Sequence, residues 1–150
     1  MQWKCDACGG SIENVNHGWV EWQSRKENGE WIKHSPRLVH HRPFSPRPHG
    51  CQYNGDEIFA NGGNIVGDLA LDQFTGTDGL ITLLSLVSDK YFDLEESLEL
   101  IKRIQVPDYD LVRSHFDEAI GAGVFEPNTK PGYYDVREIQ QVKQWLADRD

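Results

Sequence analysis

Cys5 and Cys8 stand two residues apart in "CDACGG", and a third cysteine, Cys51, closes the run "LVHHRPFSPRPHGC". Two intervening residues let both thiolates reach one tetrahedral ion, and the following glycines allow backbone amides to turn in toward the sulfurs. A closed structural site needs about four ligands, so a second pair must come from elsewhere in the chain. Cys51 is the one other cysteine, and the histidines just upstream of it supply the fourth ligand. The expected set is Cys5, Cys8, His40 and Cys51 holding a structural Zn2+. His40 is preferred because it continues the Leu38 face of its strand, with His41 and His49 as the alternatives. The competing reading is three ordinary reduced thiols in a loop-rich segment.

Three sulfurs and one imidazole close a zinc site, whereas a catalytic zinc keeps a position open for water. The expected centre is therefore structural. On "CDAC" and the later His/Cys pair, the first third of the chain resembles zinc-ribbon and treble-clef-like fingers, which implies a small metal-stabilised ribbon. The "HH" pair is also similar to His-Asn-His nucleases, a resemblance that would make His41 the base and Asn64 the middle member. No second "CxxC" follows Cys51, and the next histidine is His115. Other candidates dissolve on inspection. "NGGNIVGD" lacks the lysine of a phosphate loop and the glycine spacing of a dinucleotide site. Asp68, Asp72 and Asp78 do not fit the calcium-loop pattern, and His115 reads as a packed or surface histidine.

These residues must be positioned by short strands. Residues 1–54 have no helical periodicity; "GWVEWQ" and "EWIKH" flank "KENGE", whose Asn28-Gly29 pair predicts a hairpin turn. A third extended run, "RLVHH", lies between Pro36 and Pro43. Trp3, Trp19, Trp22 and Trp31 are expected to form a mini-core, with base stacking as the alternative. Residues 55–79 are rich in Gly and Asp and read as a connector in which "IVGDLALDQF" is the one piece able to order.

From Leu80 the period becomes helical. Leu80, Leu83, Leu84 and Val87 mark one helix, and Leu94, Leu98, Ile101 and Ile104 a second, with Asp93 and Glu96 as a capping pair. A third runs from Asp108 to Gly121, and a fourth from Arg137 to about Ala147, with Asp135 and Glu138 as its caps. Between them, "VFEPNTKPGYYDV" predicts a hairpin or an irregular wing-like loop. This order is similar to winged helix-turn-helix domains, with a plain helical bundle as the alternative. The expected fold class is α+β, a zinc-bound β-ribbon (1–54), a connector (55–79) and an acidic helical domain (80–150).

Charge is divided unevenly along the 150 residues. Residues 1–54 carry seven Lys/Arg against five Asp/Glu, a net +2, while residues 55–150 carry eight against nineteen, a net −11. The would-be recognition helix holds Asp108, Asp110, Asp117 and Glu118 against Arg113, which opposes a phosphate-lined groove. The acidic part is suited to a partner protein with a basic surface. Nucleic acid has a possible contact only through residues 1–54, at Lys33, Arg37, Arg42 and Arg47. The longest apolar run, "LITLLSLV", is shorter than the roughly 20 residues of a membrane span, and "MQWKCDACGG" has no signal-peptide layout. The expectation is a cytoplasmic, non-enzymatic adaptor or regulator, with a nucleic-acid-binding ribbon and a metal-dependent nuclease as alternatives.

Overall fold

The computed structural model describes residues 1–149. It is an α+β fold whose strands lie in the first half and whose longer helices lie in the second. The chain opens with a two-stranded ribbon, β1 (Trp3–Lys4) and β2 (Ser11–Ile12), paired antiparallel around the CDAC turn. β3 (Gly18–Glu27) and β4 (Glu30–His40) follow as the expected hairpin. Its turn puts Asn28 at φ 50° and Gly29 at φ 83°, the two successive positive values that make Asn-Gly the favoured pair there.

"RLVHH" is not a separate strand but the continuation of β4. The register passes from Gln23↔His34 to Glu21↔Arg37, so a bulge at Ser35 and Pro36 absorbs the extra residues. Ser35 takes φ 57°, and Pro36, which has no N–H to donate, lies on an edge strand where that loss is tolerated.

Within residues 55–79, read above as a connector, the structure has three elements. α1 (Gly55–Gly62) is capped by Asn54, whose side chain accepts from the Glu57 amide. β5 (Ile65–Ala70) adds antiparallel to the free side of β3, giving the sheet order β4-β3-β5. A 3-10 turn, Leu71–Phe74, then buries Leu71 and Phe74. Alternation is weak in β5 because Gly67 sits against the Trp22 indole, where a Cβ would collide, so the strand shows little hydrophobic signal.

α2 (Gly76–Ser88) and α3 (Leu94–Gln105) pack on the sheet. One core joins Trp3, Ile12, Val20, Trp22 and Leu38 of the ribbon to Leu83, Phe92, Leu100 and Ile104 of the helices. Asp93 caps α3 as expected, accepting from the Glu96 amide at 2.8 Å. The third expected helix is broken into α4 (Tyr109–Val112), a 3-10 turn at Arg113–His115, and α5 (Phe116–Gly121). With α6 (Val136–Arg149) these build a second core of Tyr109, Val112, Phe116, Phe125, Ile139 and Val142. Asp135 and Glu138 cap α6 reciprocally, at 2.8 and 3.0 Å. Residues 124–134 contain no strand; Phe125 and Tyr134 instead pack on the Phe116 ring. Pro127 and Pro131 remove two donors a hairpin would need, so the irregular alternative is the one adopted. No helix among the described residues is long and apolar enough to cross a membrane.

Candidate metal centre

The turn between β1 and β2 carries Cys5 and Cys8, the end of β4 carries His40, and the loop after it carries Cys51. Their ligand atoms all lie within 4.8 Å of one another, and all three cysteines are free thiols. His40 Nδ1 is 3.4 Å from Cys8 Sγ and 3.8 Å from Cys51 Sγ. Zinc bonds of about 2.3 Å to sulfur and about 2.0 Å to nitrogen at a tetrahedral angle place such atoms roughly 3.5 Å apart. The donors therefore have the chemistry and the spacing of a four-coordinate metal site. His41 is turned away and stacks on Trp19 at 4.8 Å, and His49 stands on the exposed loop. His40 ends β4 and faces the sulfurs, while His41, the first residue past the strand, faces Trp19.

The surroundings hold each donor in place. His40 Nε2 lies 3.0 Å from the Ser11 carbonyl; donating there leaves Nδ1 as the free acceptor toward the sulfurs. The Gly10 amide donates to Cys8 Sγ at 3.4 Å. Gly9 takes φ 75° to make the turn, and its amide donates to the Cys5 carbonyl at 2.9 Å. The Cys51 amide donates to Ser45 Oγ, fixing the far half of the site.

Burial alone would raise the Cys5 thiol, but amides of Cys8, His40 and Ala7 aimed at it outweigh burial and bring it down to about 7. Burial, joined by the neighbouring Cys5 and Cys8 sulfurs and opposed by the Ser45 hydroxyl, pushes the Cys51 thiol up to about 11. Three adjacent thiols, two of them buried, cannot all ionise beside one another without a cation, which is the charge a divalent ion supplies.

Asp6, within the CDAC turn, was not among the expected site residues, yet it ties the centre to the rest of the molecule. Its amide donates to the Leu38 carbonyl at 2.8 Å, and the Leu38 amide donates back to Asp6 Oδ2 at 2.9 Å. The same carboxylate meets the buried Arg103 of α3. Arg103 also pairs with the buried Asp110 of α4, and the Lys4 amide donates to Asp110 at 2.7 Å. A charged residue between two ligating cysteines is the one sequence signal for this network; its partners lie about a hundred residues away.

The four basic residues considered for nucleic acid separate. Arg37 is held by the buried Glu21 at 2.7 Å and lies 3.7 Å over the Tyr53 ring. Burial raises the Glu21 carboxyl, against the Tyr53 amide and Arg37, which favour its charge. Arg42 and Arg47 are exposed in the loop before Cys51 and share a cleft with Arg37. Lys33 is elsewhere, above the Tyr91 ring at 4.5 Å. Of the tryptophans, Trp3 and Trp22 are core, Trp19 is half-buried, and Trp31 is exposed. Comparison with known protein families, curated proteins and solved structures finds no match to this chain.

Proposed function

We propose that the chain is a non-enzymatic, zinc-binding adaptor: a structural Zn2+ held by Cys5, Cys8, His40 and Cys51 fastens the ribbon, and the acidic helical part engages a protein with a basic surface. The observation that carries the metal half is the convergence of three thiols and one imidazole from three separate segments. Four protein donors complete a tetrahedral shell and leave no position for a reacting water, which favours a structural over a hydrolytic role. When bound, zinc supplies cross-linking and charge neutralisation. The protein's own groups do the rest, with Ser11 orienting His40 and Gly10 steadying Cys8.

Support for the adaptor half comes from α2. Ile81 and Leu84, one turn apart, remain 61% and 52% exposed in a region of strongly negative net charge. Exposed apolar anchors on the acidic part of the chain suit a segment carrying lysine or arginine around an apolar residue.

Elemental mass spectrometry of the full chain tests the first half, with about one zinc per chain expected and less in Cys51→Ser and His40→Ala. For the second, a lysine-rich amphipathic peptide is titrated into the zinc-loaded chain while amide NMR shifts are followed. Shifts confined to α2 and lost in Leu84→Asp support the adaptor; no shifts at low salt remove it.

A further inference from the structure

Beside the metal centre, the loop carrying Arg42 and Arg47 faces the first turn of α1 across a cleft of about 750 Å³. Arg37, Arg42, Arg47, His49, Tyr53 and Asn54 contribute to its walls. We propose that this cleft is a binding site for phosphate groups, a reading separate from the adaptor surface on α2.

Charge is the first argument. The chain as a whole carries −9, so three guanidiniums on one cleft run against its composition. Arg37 is neutralised from beneath by Glu21, but among the described residues neither Arg42 nor Arg47 has an acidic partner. Asp6 also borders the cleft, but its charge is already matched by Arg103. Glu57 is the other carboxylate on its walls and leaves the arginines in excess.

Positioning is the second argument. Arg42 lies along Gly50, whose added Cβ would come within 3.5 Å of the Arg42 side chain, and its amide donates to Gln52 Oε1 at 2.8 Å. Arg47 reaches the knuckle, donating from Nη1 to the Ala7 carbonyl at 3.0 Å. Arg37 lies flat on Tyr53 and donates from Nη2 to the Cys51 carbonyl at 3.2 Å. Arg37 and Arg47 are thus held through their guanidiniums by the segment that ends in Cys51 and by the knuckle, and Arg42 is anchored through its backbone amide, with guanidinium donors to spare. Planar forks held in this way match the oxygens of phosphate, and two unpaired cations exceed what one carboxylate would neutralise.

Phosphate reaches such a site either free or as the backbone of a nucleic acid strand, and the test separates the two. The zinc-loaded full chain is titrated with inorganic pyrophosphate and, separately, with a labelled single-stranded oligonucleotide across a salt series. Wild type is expected to bind pyrophosphate, and Arg42→Glu with Arg47→Glu to lose about tenfold or more in affinity; Lys33→Glu, in a different groove, should change little. If the strand also binds, its salt slope should fall by roughly 0.7 for each arginine removed, which identifies nucleic acid as the source. Pyrophosphate binding without strand binding identifies a small phosphate compound. Both arginines are exposed, so the double variant should keep its melting temperature. Absence of binding by both probes at about 50 mM salt, equal losses in Lys33→Glu, or equally tight binding of a poly-glutamate peptide each overturns the proposal.

Discussion

Arg103 Nη1 of α3 lies 2.7 Å from Asp6 Oδ2, so the turn that carries Cys5 and Cys8 of the candidate metal centre is ion-paired to a buried side chain nearly a hundred residues away. Arg103 is 5% exposed and contacts two carboxylates, Asp6 and Asp110, while its Nη2 also donates to the Lys4 carbonyl. The knuckle, α3 and α4 therefore share one charge network, and the two halves of the molecule are joined by more than apolar packing.

Replacing Arg103 with Met should destabilise the chain by about 3 kcal/mol, because the buried Asp110 would keep only its longer pairing with Arg113, at 3.5 Å. Asp6→Asn removes a more exposed partner and should cost less. Urea unfolding of the three proteins gives the comparison, and an Arg103→Met variant as stable as wild type would show that the network contributes nothing.

Chelation of the metal should loosen the β1–β2 ribbon and expose Trp3, whose indole packs in the shared core and donates to the Ile104 carbonyl. A loss of several kcal/mol corresponds to a fall of about 10 °C or more in a chain of this size. His40→Ala should reproduce the fall without chelator, and His41→Ala should not. Differential scanning calorimetry with tryptophan fluorescence reads both.

The acid limb of stability should depend on Glu99. Burial opposes its charge, but Lys102, the Tyr109 hydroxyl and Arg113 outweigh burial and hold its carboxyl below the usual range. A carboxylate with a lowered folded pKa contributes stability at pH above its ordinary value near 4.5, and that contribution disappears as pH falls through the folded value. Glu99→Gln should thus be less stable than wild type near neutrality, and the gap should close below that ordinary pKa. With a third of the side chain exposed, the gap is about 1 kcal/mol or less. Denaturant midpoints measured from neutral to acid pH decide it; a gap constant with pH would count against the assignment.

Gly67→Ala should destabilise by about 1–3 kcal/mol, an overpacking cost. The added methyl meets the Trp22 indole, which Tyr91 and Phe92 hold edge-on at 5.6 Å and which has nowhere to retreat. Adding Trp22→Leu should recover part of the loss in the double variant, and simple additivity would rule out the proposed clash.

The turns and helix caps follow from local chemistry. CDAC, Asn28-Gly29 and the Asp93/Glu96 and Asp135/Glu138 pairs each act within a few residues, so their turns and caps are legible from spacing alone. The cluster of Cys5, Cys8, His40 and Cys51 was also legible, because three cysteines and a few nearby histidines leave few ways to bring four donors together.

Tertiary structure decided the remainder. β5 became the third strand through a glycine that fits an indole on another strand, and the run after Pro36 joined β4 through a bulge that no periodicity announces. The third helix broke at Arg113–His115, inside the run from Asp108 to Gly121 that reads as one helix in the sequence. Asp6 found Arg103, and Arg42 and Arg47 came to share a cleft with Arg37, only because a folded sheet brings distant segments within hydrogen-bond reach. Coulombic and packing energies depend on separation in space, and sequence spacing reports that separation only within a single element.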